Sequence, residues 1–190
     1  HWVVGISFIL LGLSGLAFFH PAFFPFTLLF GGPVWARILH PYVGLLMALS
    51  FLVIFLRFRQ LNKITPADKE WLAKARNMLD GNDHDMPEQG KYNGGQKVLF
   101  WGLVVGMLAL TASGVAMWRA WLHLPVDMVR VASVVHAAAA VWMIGLIIMH
   151  VYAAIWTRGT IRAMLYGTVT RAWAKQHHRG WYRKMTGDNS

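Results

Sequence analysis

The chain contains no cysteine. That absence excludes disulfides, cysteine-ligated iron–sulfur clusters and the C-x-x-C-H attachment of a covalently held haem. Charge is scarce as well: Asp, Glu, Lys and Arg make up 14% of the 190 residues, and only eight are acidic. A water-soluble domain of this length needs far more polar surface than that. The four longest apolar stretches contain no Asp or Glu except Asp127 at a boundary, which leaves little material for a carboxylate proton relay. No internal repeat and no low-complexity tract is evident.

What is abundant is apolar. Hydrophobic residues account for 56% of the chain, with 10 Trp, 11 Phe and 10 Met. Four segments approach or exceed the roughly 20 apolar residues that cross a bilayer: residues 1–19, 33–57, 98–118 and 128–156. Pro33 follows Gly31-Gly32 and suits a first helical turn, while Pro41 falls inside the same span and is expected to kink it. The expected fold is all-α, a single domain (1–190) built as an integral membrane four-helix transmembrane bundle. His1 opens directly onto an apolar run, so the natural chain is expected to continue upstream or to have been processed. No polar n-region or A-x-A pattern of a signal peptide is visible.

The formal net charge of +10 is distributed as membrane topology and not as a nucleic-acid patch. Eight Lys or Arg lie between Arg57 and Lys97 and seven from Arg158 onward, against Arg37, Arg119 and Arg130 elsewhere. Positive residues gather on the cytoplasmic side. This predicts a multi-pass membrane protein with both termini, the loop 58–97 and the tail 158–190 cytoplasmic. Within the loop, Thr65-Pro66 and Asp68 have the chemistry of a helix start. Trp71, Leu72, Ala75, Met78 and Leu79 continue at helical spacing to Gly81, which predicts a short amphipathic helix at the membrane surface or on a partner. The tail, with Trp173, Trp181 and Tyr182 among its cations, has similar interfacial character.

Nine histidines are present, and their placement is more informative than their number. His136 and His150 share the fourth span. Fourteen residues turn a helix through about 1,400°, so the two project from nearly one face, about 21 Å apart along the axis. Such a pair suits one haem in each half of the bilayer, with room supplied by Ala137 to Ala140 and Gly145. Alternation of the spans then predicts His40 level with His136 at the outer side and His1 level with His150 at the inner side. Gly5, Gly12, Gly15 and Gly44 leave space on the facing helices. Each imidazole must be neutral, its second nitrogen held by a hydroxyl or carbonyl; Ser133, one turn before His136, is one candidate and a main-chain carbonyl another. Arg37, one turn before His40, is a snorkelling boundary residue or a contact for a haem propionate. A lone intramembrane His is often only a satisfied polar group, but four at two matched depths favour two b-type haems over a histidine-based transporter or a haem-free anchor. His20, His84, His123, His177 and His178 are expected to be solvated or in contact with headgroups.

Several segments together resemble a known family. His1-Trp2, Arg37-Ile38-Leu39-His40-Pro41, Gly90-Lys91-Tyr92-Asn93-Gly94-Gly95-Gln96-Lys97, His136 with its four alanines, His150-Val151-Tyr152 and the closing stretch from Trp173 to Arg183 resemble the cytochrome b (gamma) subunit of bacterial respiratory formate dehydrogenase. The histidine pattern is shared with cytochrome b subunits of hydrogenases and related oxidoreductases, which form the alternative assignment; the Lys-Tyr-Asn segment favours the formate branch. The resemblance implies a partner iron–sulfur subunit and a catalytic subunit with molybdenum or tungsten that oxidises formate. It also implies passage of electrons through the outer and inner haems to a quinone (menaquinone or ubiquinone) near the cytoplasmic face. Positions matching Asn93, Gly95 and His150, with Gly94 between the first two, line the quinone pocket in that family. On the residues alone, Asn-Gly-Gly reads as a turn before a helix.

Overall fold

A computed structural model describes residues 1–76, 86–118 and 122–187. Helices make up all the regular structure of the described residues: α1 (Trp2–Phe19), a 3₁₀ segment (Pro21–Phe30), α2 (Pro33–Phe58), α3 (Pro66–Ala73), α4 (Gly94–Met117), α5 (Val126–Trp156), α6 (Thr160–Tyr166), α7 (Arg171–His177) and α8 (Arg179–Thr186). The expected all-α, four-span architecture is what folds. Helices α1, α2, α4 and α5 are each long and apolar enough to cross a membrane, and no more than 17% of the most apolar window of any of them is buried. Helices that are apolar all round and turn most of that surface outward need lipid as their solvent. The chain is a multi-pass membrane protein.

The element boundaries depart from the sequence expectation in instructive ways. The connection after α1 is not a simple loop, because Pro21–Phe30 winds as ten residues of 3₁₀ helix. Gly31 and Gly32, at φ 84° and 107°, then reverse the chain into Pro33. Pro33 begins α2 and Pro41 lies inside it, both as expected. Helix α3 is bounded at Ala73, and Ala75 and Arg76 are again helical; the expected continuation through Met78 and Leu79 to Gly81, with His84 and Arg119, lies outside the described residues. Helix α4 starts at Gly94, four residues before the expected 98, and α5 starts at Val126, two before 128. The tail is helical in three short pieces.

Two compact units emerge, and α4 and α5 each run on from one into the other: residues His1–Arg57 with Leu103–Ile147, and Phe58–Gly102 with Ile148–Ser190. The core of the first is Met47, Met107 and Met143, packed by Phe8, Leu11, Phe51 and Leu110. A Cβ on Gly106 would collide with the Met143 side chain, so glycine there lets α4 and α5 approach.

The second unit is organised around one buried carboxylate. Asp68 Oδ2 accepts from Thr65 N–H, Thr65 Oγ1 and Lys97 Nζ, each at 2.7 Å. The Asp68 and Lys97 side chains are 3% and 9% exposed. Gly94 packs against the same feature, since a Cβ there would stand 2.8 Å from the Asp68 carbonyl oxygen and 3.1 Å from the Trp71 ring. The Trp101 indole N–H donates to the Asn62 carbonyl at 3.0 Å, joining the turn after α2 to α4.

The tail folds back on the loop. His178, expected to be solvated, is instead 4% exposed. Its Nδ1 lies 2.9 Å from the Gly90 carbonyl, so that nitrogen carries the hydrogen. Arg183 pairs with Glu88 at 2.6 Å, and Lys91 lies 5.9 Å from the centre of the Trp181 ring. Tail and loop are therefore packed against each other.

Burial pushes the Asp68 carboxyl up, but the hydrogen bonds from Lys97 and Thr65 outweigh it and hold the group below its ordinary value. A carboxylate depressed on folding stabilises fully above its unfolded value of about 3.9, and that contribution is lost as pH falls through the lower folded value. Lys97→Ala, which strands Asp68 as an unpaired buried charge, is expected to cost about 3–5 kcal/mol in thermal unfolding of the detergent-solubilised protein. The double change Asp68→Asn with Lys97→Met should cost markedly less. Equal losses would show that the ion pair is not what the Lys97 side chain contributes.

Candidate functional site

In the first unit, two of the four expected iron ligands come together. His40 reaches inward from α2 and His136 from α5; both are half-buried. Their ring centres are 6.3 Å apart with an interplanar angle of 62°. A first-row metal–imidazole bond is about 2.0 Å, so two rings on opposite sides of one iron stand roughly 6 Å apart between centres. Each ring plane contains its own iron–nitrogen axis, which leaves the interplanar angle free. The spacing is one at which His40 and His136 would together hold a single haem iron.

The donor set fits as well. Among the described residues, no group of three or more His, Asp or Glu gathers as a metal cage. A porphyrin brings four equatorial nitrogens and asks the protein for only two axial ones, so a histidine pair is sufficient for haem where it would be thin for a bare ion.

Both imidazoles are held at the nitrogen that would face away from iron. His40 Nδ1 lies 2.7 Å from Ser14 Oγ on α1, and His136 Nδ1 lies 2.9 Å from Ser113 Oγ on α4. Ser133, the hydroxyl considered from the sequence, does not take this part: its Oγ donates to its own helix at the Arg130 carbonyl, 2.7 Å away, on an exposed face. Spacing on one helix suggested Ser133; the hydroxyl that reaches His136 arrives from a neighbouring helix. The Phe18 ring meets His40 edge-on at 5.7 Å, adding apolar cover on the α1 side.

The other expected site residues are placed as follows. His1 is the N-terminal flanking residue of α1, its carbonyl accepting from Gly5 N–H at 2.8 Å. His150 is half-buried on α5. Arg37 is exposed one turn before His40. Asn93 precedes α4 and makes a reciprocal cap: Gln96 N–H donates to Asn93 Oδ1, and Asn93 N–H donates to Gln96 Oε1, both at 2.9 Å. The turn reading of Asn-Gly-Gly is therefore realised. It leaves the Asn93 amide NH₂ and the N–H groups of Gly94 and Gly95, the first two of α4, with no partner inside the helix. His20 is an exposed cap that accepts from Ala22 N–H at 3.2 Å, His123 is exposed, and His177 is half-buried with its ring 5.0 Å from that of Trp173.

Comparison with known proteins identifies the family. Residues 1–167 match the family model described as prokaryotic cytochrome b561. The nitrate-inducible formate dehydrogenase cytochrome b556(Fdn) subunit of Escherichia coli strain K12 is 40% identical over 187 residues, covering 97% of this chain and 86% of that one. The cytochrome b556(fdo) subunit of formate dehydrogenase from the same strain is also 40% identical over 187 residues, with 88% of it covered. The formate dehydrogenase cytochrome b556 subunit of Haemophilus influenzae is 38% identical over 186 residues, 97% of this chain and 78% of that relative. On these matches, and with four membrane-spanning helices that bring His40 and His136 together, the chain belongs to the prokaryotic cytochrome b561 family of membrane cytochromes.

Proposed function

We propose that this chain is the electron-transferring cytochrome b subunit of a formate dehydrogenase, and that it takes electrons from an iron–sulfur subunit and delivers them to a quinone. The observation that carries the reading is the His40–His136 pair, at 6.3 Å between ring centres with each Nδ1 engaged by a serine. The relatives are all named as formate dehydrogenase subunits, which supports membership of such a complex; the iron–sulfur partner and the molybdenum or tungsten subunit that oxidises formate are what the family resemblance implies.

Two b-type haems, when bound, supply reversible one-electron chemistry at two depths of the bilayer. His40 and His136 hold the outer one and His1 and His150 the inner one. The shared helix α5 carries one histidine to each. Arg37, exposed one turn before His40, is assigned as a contact for a propionate of the outer haem. Both termini, the loop and the tail are assigned to the cytoplasmic side of the bacterial inner membrane on the distribution of Lys and Arg, and the contact of tail with loop supports their sharing a side.

The quinone is assigned to Asn93, Gly94 and Gly95 with His150. A quinone oxygen gains negative charge on reduction, and fixed donors aimed at it favour that change. The free N–H groups of the first turn of α4 and the Asn93 amide are such donors, and the helix N-terminus adds its positive dipole.

Two expectations test this reading. In the purified complex, His136→Ala or His40→Ala is expected to remove the outer haem band from the reduced-minus-oxidised spectrum and leave the inner one. His1→Ala or His150→Ala should do the reverse. Retention of both bands in either set would refute the pairing. Asn93→Asp keeps an oxygen to cap Gln96 but loses the amide donor, so it should slow quinone reduction about tenfold, the value of about 1.4 kcal/mol for one hydrogen bond, with formate-driven haem reduction and thermal stability unchanged. Normal quinone turnover in that variant would confine Asn93 to capping.

A further inference from the structure

The two serines beside the candidate ligands repeat one device on separate helix pairs. Ser14-Gly15 on α1 faces His40 on α2, and Ser113-Gly114 on α4 faces His136 on α5. In each case serine meets Nδ1 and the following glycine lies beside Cε1 of the same ring. A Cβ on Gly15 would stand 3.7 Å from His40 Cε1, and one on Gly114 would stand 3.4 Å from His136 Cε1. Both serines are buried, at 1% and 5% exposure, so bulk water does not substitute for them.

The position of one proton follows from the distances. Ser14 Oγ is 2.8 Å from the Leu10 carbonyl oxygen, and Ser113 Oγ is 2.5 Å from that of Ala109. Two oxygens this close must share a hydrogen, and a carbonyl has none, so each hydroxyl donates back along its own helix. Its lone pairs are then what Nδ1 meets. Nδ1 must carry the ring hydrogen, which leaves the lone pair on Nε2. Donation to the carbonyl also strengthens the serine oxygen as an acceptor for the Nδ1 hydrogen.

We infer that Ser14 and Ser113 are positioning residues that fix His40 and His136 in the tautomer with Nε2 free for iron and raise their electron-donating strength. The inference rests on the reading of these histidines as the ligands of the outer haem. An acceptor behind a ligating imidazole increases its basicity, and a more basic ligand favours oxidised over reduced iron. Removing that acceptor therefore raises the reduction potential of this haem.

The test uses Ser14→Ala and Ser113→Ala in the intact, haem-loaded complex, with Ser14→Thr and Ser113→Thr as rescue variants, since threonine keeps the hydroxyl and its bond to the preceding turn. Redox titration followed optically should show the outer haem shifted several-fold toward the reduced form by each alanine, tenfold being about 59 mV for one electron. The inner haem should stay unchanged and threonine should restore the original value. Loss of the outer haem in the alanine variants with its recovery in the threonine variants would also support the inference. Unshifted potentials in both alanine variants, or shifts that threonine does not correct, would overturn it. The haem reading itself fails separately, if His40→Ala and His136→Ala both keep two haems.

Discussion

An imidazole inside a bilayer has two nitrogens to satisfy and no water to satisfy them. One must find an acceptor for its hydrogen, and the other must keep a lone pair directed at something that can use it. His40 and His136 solve the first half with Ser14 and Ser113, and their 6.3 Å separation is the observation on which the proposed iron ligation answers the second. The hydroxyls hold the rings, and the helices that carry them must keep the register that brings these groups together. Glycine beside each serine and the methionine core of Met47, Met107 and Met143 accommodate that register without adding polar groups.

The second unit obeys a different rule, because it contains charge. Asp68 is buried, yet every contact to its Oδ2 is a donor, and Lys97 neutralises it. The pair joins the start of α3 to the first turn of α4, next to the glycines whose N–H groups are the proposed quinone donors. His178 and Arg183 hold the tail on residues 88–90 of the same loop. Burial lowers the His178 imidazole from its ordinary value, opposed by the bond to Gly90 and reinforced by His177. A neutral ring is favoured there, so the latch is stable at neutral pH and weakens as acid charges the imidazole.

The spans were legible because lipid imposes a crude, long-range requirement on composition, and no local detail of packing can cancel it. Pro33, the start of α3 at Thr65 and the meeting of His40 with His136 were legible for similar reasons: each depends on chemistry local to one helix or on depth alone. The 3₁₀ segment at 21–30 was not, since its prolines and phenylalanines carry no helical period. Ser14 and Ser113 were missed, with Ser133 or a main-chain carbonyl considered for His136, because their partners lie 26 and 23 residues away, across a helix boundary. The signal that could have found them is a Ser-Gly pair inside an apolar run of the helix preceding each histidine. His178 was misjudged for the same reason at greater range, its acceptor being 88 residues earlier.

The central claim is that histidines from different helices hold iron in pairs at two levels of the membrane. Haem content per chain in the purified complex, read together with the spin state by electron paramagnetic resonance, tests it most directly. Two haems per chain, both low-spin with two nitrogen axial ligands, is the predicted result. A single haem, or a high-spin signal from iron with an open axial position, would contradict it.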